Sequence, residues 1–140
     1  MTPTPDSARL DTSPLSQFLD IEQVTTPDGV ECRIAIDGRH LNPNGSMHGG
    51  AMFTLLDLAM GVTTSTYLEP TQMCATAEIR VRYLKPVFEG SVVATASVVD
   101  HQGRRISLEA RATDDRGEEV ATASATFIAF EPREGSAYAG

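Results

Sequence analysis

The chain has 140 residues, 41% hydrophobic and 21% charged, with a formal net charge of -8. That is the make-up of one globular domain with a full core. The acidity excludes a nucleic-acid surface, because phosphate contacts need a basic patch and no run of Lys or Arg is present, and no apolar run approaches the roughly 18 residues of a membrane span.

The first residues, MTPTPDSARLDTSPLS, place Pro and Asp where a secretory signal needs a basic start and an apolar stretch of about 7–15 residues, so a cytoplasmic protein is expected. Residues 1–12 and 131–140 are rich in Pro, Ser, Gly and charge without apolar periodicity, which predicts flexible tails around a domain spanning 13–130. Ser13-Pro14 followed by Leu15, Phe18 and Leu19 reads as an N-cap, a first-turn proline and a short helix. Val30 to Ile36 alternates apolar and polar residues as a half-buried strand does, and Asp37-Gly38 ends it.

A turn-rich loop then opens the one long helix, which runs to about Tyr67 before Glu69-Pro70 stops it. Four strands follow, at 73–84, 90–100, 104–113 and 119–130, divided by Lys85-Pro86, His101-Gln102-Gly103 and the turn at 114–117. These short turns predict successive antiparallel neighbours. In the first of the four, Ile79, Val81 and Tyr83 share one face while Glu78, Arg80 and Arg82 share the other. The long helix is apolar on more than one stripe and cannot lie on a sheet with its back to water. The expected fold is α+β: a long central helix wrapped by a curved five-stranded antiparallel sheet, with a second copy of the chain covering what remains.

Residues 42–61, NPNGSMHGGAMFTLLDLAMG, concentrate the chemistry. Asn42, Asn44, Gly45 and Ser46 are turn formers, and Gly49-Gly50 opens the helix with amides that no side chain screens. Such amides lack internal partners and sit at the positive end of the helix dipole, which suits a developing oxyanion. The same glycines also fit a tight entry turn and nothing more. Asp57, among Leu55, Leu56, Leu58, Ala59 and Met60, is a poor helix-interior residue and costly to bury charged, so it points to a task. A bond to Thr54 or a wet seam would explain it without one.

Gly49 and Asp57 are separated by roughly 12 Å at about 1.5 Å per helical residue. A substrate needs an amide donor about 2.7–3.1 Å from its oxygen and an attacking group about 3–3.5 Å from its carbon. One chain cannot supply both from this helix, whereas two antiparallel copies can, so an active site here is built between subunits. His48 either orients the loop by bonding a neighbouring carbonyl or polarises the substrate. His40, His48 and Asp57 match no standard zinc spacing, and no metal is expected. His101 reads as a solvated turn residue. There is no Gly-x-Ser-x-Gly elbow and no Cys with a neighbouring His, and Cys32 and Cys74 read as reduced, buried thiols.

The pattern Asn42, Gly45, His48-Gly49-Gly50 and Asp57, followed by Thr76-Ala77-Glu78-Ile79-Arg80-Val81-Arg82-Tyr83-Leu84-Lys85-Pro86, resembles the hotdog-fold acyl-CoA thioesterases of the phenylacetic-acid-degradation type over roughly residues 15–130. The resemblance implies that the Gly49 amide holds the thioester oxygen while Asp57 of the opposite subunit acts as nucleophile or general base. Asn42 would bind the attacking water or orient the site, His48 would steady the loop, and Thr76 would assist near Asp57. The family forms dimers with shared sites that pair into homotetramers.

A thioester is reactive enough for one carboxylate and an oxyanion donor, so no cofactor is expected. Gly50, Met52, Phe53 and Met60 are the candidate substrate contacts, and Arg104, Arg105 or Lys85 would meet the phosphates of CoA, although exposed arginines also serve simply to solvate a surface. The alternatives are a hotdog enoyl-CoA hydratase or dehydratase, which needs a His paired with a carboxylate, and a noncatalytic acyl-CoA-binding protein.

Overall fold

Ser13 caps the first helix as its residue type predicts, its hydroxyl accepting the Ser16 amide at 3.3 Å with proline in the first turn. In the computed structural model, which describes residues 7–133, this helix α1 (Pro14–Phe18) leads into β1 (Glu22–Thr26) and β2 (Gly29–Ala35). A 3-10 turn (Gly38–His40), the long helix α2 (Gly49–Ser65), β3 (Met73–Tyr83), β4 (Ser91–Gln102), β5 (Arg105–Asp114) and β6 (Glu119–Phe130) follow. The strands form one antiparallel sheet in the order β1-β2-β4-β5-β6-β3. No helix among the described residues is long and apolar enough to cross a membrane.

The α+β architecture is the expected one, with two corrections. The sheet has six strands rather than five. The extra strand, β1, reads EQVTT, with too little apolar alternation to announce itself. It exists because Pro27-Asp28 turns the chain and Gly29, at φ +138, begins a partner strand in register, Thr26 opposite Gly29. The second correction concerns β3 and β4, which are not neighbours: β3 pairs with β6, and β4 with β2.

The segment between β3 and β4 is a crossover instead of a hairpin turn. The Leu84 and Lys85 amides both donate to the Val120 carbonyl, at 2.9 and 3.3 Å. Val87 is buried, its carbonyl accepting the Met47 amide at 2.7 Å, and Gly90 delivers the chain to the Ile36 amide on the far side. Pro86, which has no N–H to give, sits where no ladder bond is required.

The core lies between α2 and the concave face of the sheet. Leu55, Leu56, Ala59 and Met60 of α2 are fully buried, and burying each large side chain contributes about 1.5–3 kcal/mol. On β6 the inward positions are Ala121, Ala123, Ala125, Phe127 and Ala129, and the four alanines are small enough for the helix to lie close. One stripe of α2 stays open: Gly50 and Phe53 are exposed, and Thr54, Asp57 and Gly61 are half-buried. These positions recur at helical spacing, so Asp57 is on the seam rather than in the core.

At the other end of α2, the Arg9 amide donates to Ser65 Oγ at 2.8 Å and the Arg9 guanidinium bonds the carbonyls of Gln72 and Glu69 at 2.5 and 2.9 Å. Asp11 exchanges two bonds with the Gln23 side chain, each 2.7 Å. Residues 1–6 and 134–140 of the expected tails lie outside the described residues.

Candidate active site

The loop before α2 is tied by its own polar side chains. Asn42 Oδ1 accepts the Asn44 and Ser46 amides at 2.9 and 3.2 Å, and its Nδ2 donates to Ser46 Oγ at 3.0 Å. Asn42 therefore closes its own turn and, for the same reason, has little of its side chain left for a ligand. His40, fully buried, bonds the Leu19 carbonyl through Nε2 at 2.7 Å and takes the Asp37 amide on Nδ1 at 3.0 Å. Its carbonyl accepts the His48 amide at 2.6 Å, so His40 anchors the loop to the end of α1.

His48 is the N-cap of α2, its Nδ1 accepting the Gly50 amide at 2.8 Å. An accepting Nδ1 puts the proton of the neutral ring on Nε2, leaving that N–H as a donor. A Cβ on Gly50 would stand 3.1 Å from Nδ1, so glycine lets the ring fold back onto the helix end. The amides of Ala51 and Met52 go to the His48 carbonyl at 3.0 and 3.1 Å. Of the first four amides of α2, Gly49 alone has no partner among the described residues. The Gly50 amide belongs to the cap, so a substrate contact at Gly50 would not be made through that N–H.

A residue to which the sequence analysis assigns no role in the site supports this end. The Tyr83 hydroxyl donates to the Gly49 carbonyl at 2.8 Å, and its ring stands 3.4–3.6 Å from where a Gly49 Cβ would be. Alternation with Ile79 and Val81 makes Tyr83 look like core, yet it is 53% exposed. It lines a cleft of about 400 Å³ with Asn42, Met47, Gly49, Met52 and the segment 84–87. The larger cavity, about 960 Å³, lies on the outer face of the sheet among Arg80, Arg82, Thr95, Arg111 and Thr122, and holds neither Gly49 nor Asp57.

Two turns along α2, Asp57 receives the Thr76 hydroxyl on Oδ1 at 2.9 Å. Thr54 does not take part, since its hydroxyl donates to the Gly50 carbonyl at 2.9 Å. Burial pushes the Asp57 carboxyl above its ordinary range, the Thr76 bond pulls it back, and the negative charge of Asp11 adds to the rise. A carboxylate less comfortable with its charge than one in water is a better base or nucleophile.

The other expected residues separate. Met60 is fully buried and belongs to the core instead of a pocket wall. Met52 lines the cleft beside Gly49, and Phe53 lies on the open stripe between Gly49 and Asp57. Arg104 and Arg105 are exposed at the β4–β5 hairpin, where Arg105 pairs with Ile128 and Ile128 with Ala75. That is the Asp57 end of the sheet, not the Gly49 end, and Arg105 alternates with the buried Ile106 so that it points to the outer face. Lys85 is ion-paired with Glu118 and, at 4.0 Å, with Asp114.

The family profile described as Thioesterase superfamily matches residues 44–121, more than half of the chain. Among curated proteins, ComA2 of Bacillus subtilis, provisionally named an esterase, is 36% identical over 92 residues, 64% of this chain and 72% of that protein. PA0474 of Pseudomonas aeruginosa, provisionally named likewise, is 29% identical over 94 residues, 67% and 70% of the two chains. Among solved structures, BH2602 of Bacillus halodurans, determined with CoA, is 32% identical with a TM-score of 0.79, over 86% of this chain and 78% of that one. The Escherichia coli PaaI protein, from the phenylacetic acid degradation operon, is 19% identical with a TM-score of 0.76 over 85% and 86%, a likeness of fold. The chain belongs to the thioesterase superfamily and is a thioester hydrolase on the hotdog fold.

Proposed function

We propose that the protein hydrolyses acyl- or aryl-acyl-CoA thioesters to the free acid and CoA, in two equivalent sites shared between the subunits of a homodimer. The observation that carries this reading is the unpartnered amide at the start of α2, Gly49, facing the same strand as the Asp57–Thr76 pair. The BH2602 relative, solved with CoA, supports the choice of thioester.

Both groups abut β3, an edge strand of the sheet: Thr76 holds Asp57 and Tyr83 holds Gly49. The inward face of β3 and its continuation are unusually open, with Tyr83, Leu84 and Phe88 all exposed, as a surface awaiting a partner would be. Pairing two β3 edges antiparallel about an axis near the middle of the strand brings the Thr76 end of one copy beside the Tyr83 end of the other. The carboxylate of one subunit then reaches the amide of its partner, which one helix cannot arrange alone.

In this site the Gly49 N–H takes the thioester oxygen, with His48 Nε2–H close by as a second donor. Asp57 either takes a proton from a water that attacks the carbonyl carbon, or attacks that carbon itself to give a mixed anhydride that water then hydrolyses, freeing the acid and restoring the carboxylate. The oxyanion collapses, the C–S bond breaks, and the CoA thiolate leaves and is protonated. Thr76 fixes the carboxylate, and Asn42 and His48 hold the amide in place. The hydratase alternative needs a His beside a carboxylate, and the one such pair among the described residues, His40 with Asp37 at 3.4 Å, is spent on a fully buried ring.

Thiol release from a panel of acyl-CoAs tests the reading. Asp57→Ala, with an unchanged oligomer, is expected to lose about a hundredfold or more in kcat. Activity at the wild-type level in that variant would remove Asp57 from the reaction.

A further inference from the structure

One turn past Asp57, the open stripe of α2 carries a second glycine. Gly61 sits in the helix interior, where glycine is the least favourable residue other than proline. Nothing in the packing of the described residues demands it. A Cβ there would meet only the ring of Phe127, at 3.5 and 3.9 Å, ordinary contact distances, with nothing else within 4 Å. The helix gives up stability for a space that its own fold leaves open.

That space adjoins the carboxylate. Phe127 pairs across the sheet with Thr76, whose hydroxyl holds Asp57. Cys74, two residues before Thr76 and on the same face of β3, is a half-buried free thiol. The helix backbone at Gly61 and the Phe127 ring thus present apolar surface beside the polar Asp57–Thr76 pair. A further turn along, Ser65 is covered by the segment through Arg9, which bonds its hydroxyl and the carbonyls of Glu69 and Gln72.

We propose that Gly61 sets the length and bulk of acyl group the enzyme accepts, the acyl chain passing Asp57, lying over Gly61 against the Phe127 ring, and ending at the strap formed by Arg9. This rests on the hydrolysis proposed above and adds the direction in which the substrate lies. A hydrophobic wall discriminates per methylene, so filling this space penalises long acyl groups more than short ones.

The test is thiol release from butyryl-CoA and octanoyl-CoA by the wild type, Gly61→Ala and Gly61→Leu. The octanoyl-to-butyryl ratio of kcat/KM is expected to fall about tenfold in Gly61→Ala and about a hundredfold in Gly61→Leu. Gly61→Ala is also expected to melt at a higher temperature, since alanine is the better helix former, which separates a narrowed pocket from a damaged fold. An unchanged ratio in Gly61→Ala, folded and active, overturns the proposal. So does a Gly61→Leu chain that dissociates and loses activity on both substrates alike, which would assign the space to the partner subunit. A wild type that releases no thiol from any acyl-CoA instead overturns the hydrolysis reading, and this proposal with it.

Discussion

The start of α2 and its midpoint, two turns apart on one helix, treat polar groups in opposite ways. At the start, nearly every donor and acceptor is engaged: His48 caps Gly50, Asn42 closes its turn, His40 pins the loop from inside the core, and Tyr83 grips the Gly49 carbonyl. At the midpoint, Asp57 has a single hydroxyl for a partner among the described residues and is partly stripped of water. The first region is rigid and complete within one chain. The second is a costly charge on an open seam, stable only to the extent that the surroundings tolerate it. Preorganised donors and an uncomfortable carboxylate are the complementary halves that the proposed hydrolytic site needs, and within one chain the fold keeps them two turns of helix apart.

The comparison breaks first at the amide. Gly49 is the first residue of α2, a position where proline fits a helix, and His48 at φ -61, ψ 133 already has the backbone that precedes a proline. Gly49→Pro removes the free backbone N–H while keeping the helix. It is expected to fold and to lose about 10²–10³ in kcat, the usual effect of deleting an oxyanion donor. Near-normal turnover would show that the amide is a bystander.

A smaller effect sharpens the other half. Asp57→Asn keeps an oxygen for the Thr76 hydroxyl and removes the charge. Because the folded carboxyl titrates above its ordinary 3.8, the destabilisation it causes is absent below that value and grows as pH rises through the raised folded value. Asp57→Asn should therefore melt a few degrees above the wild type at neutral pH, the gap closing as pH falls toward 4. A variant less stable than the wild type at neutral pH would mean that the charge supports the fold. Activity should follow the same ionisation in the opposite sense, falling as the carboxyl is protonated.

Much of this is legible in the residues. An acid inside an apolar helix and two glycines at its start stand out because both violate local preference, and such violations collect at functional sites. The reach between them is what leads the sequence to an expected second chain. What stays hidden depends on tertiary placement. β1 is held by its turn and its neighbour, not by its own pattern. The β3–β6 pairing is decided by a crossover whose buried Val87 looks like any loop valine. Tyr83 reads as one more inward strand residue until the strand proves to be an edge, and Met60 reads as a pocket wall until the helix rotation turns it into the core.

The shared site is tested most directly by mixing two disabled proteins. Gly49→Pro and Asp57→Ala, each inactive alone, are unfolded together and refolded in equal amounts so that subunits pair at random. Half of the dimers are then hybrids in which one site of two has both an intact amide and an intact carboxylate, so activity should return to about a quarter of the wild-type value. Refolded dimers that form normally yet regain nothing would show that amide and carboxylate act within one chain, and would contradict a site divided between subunits.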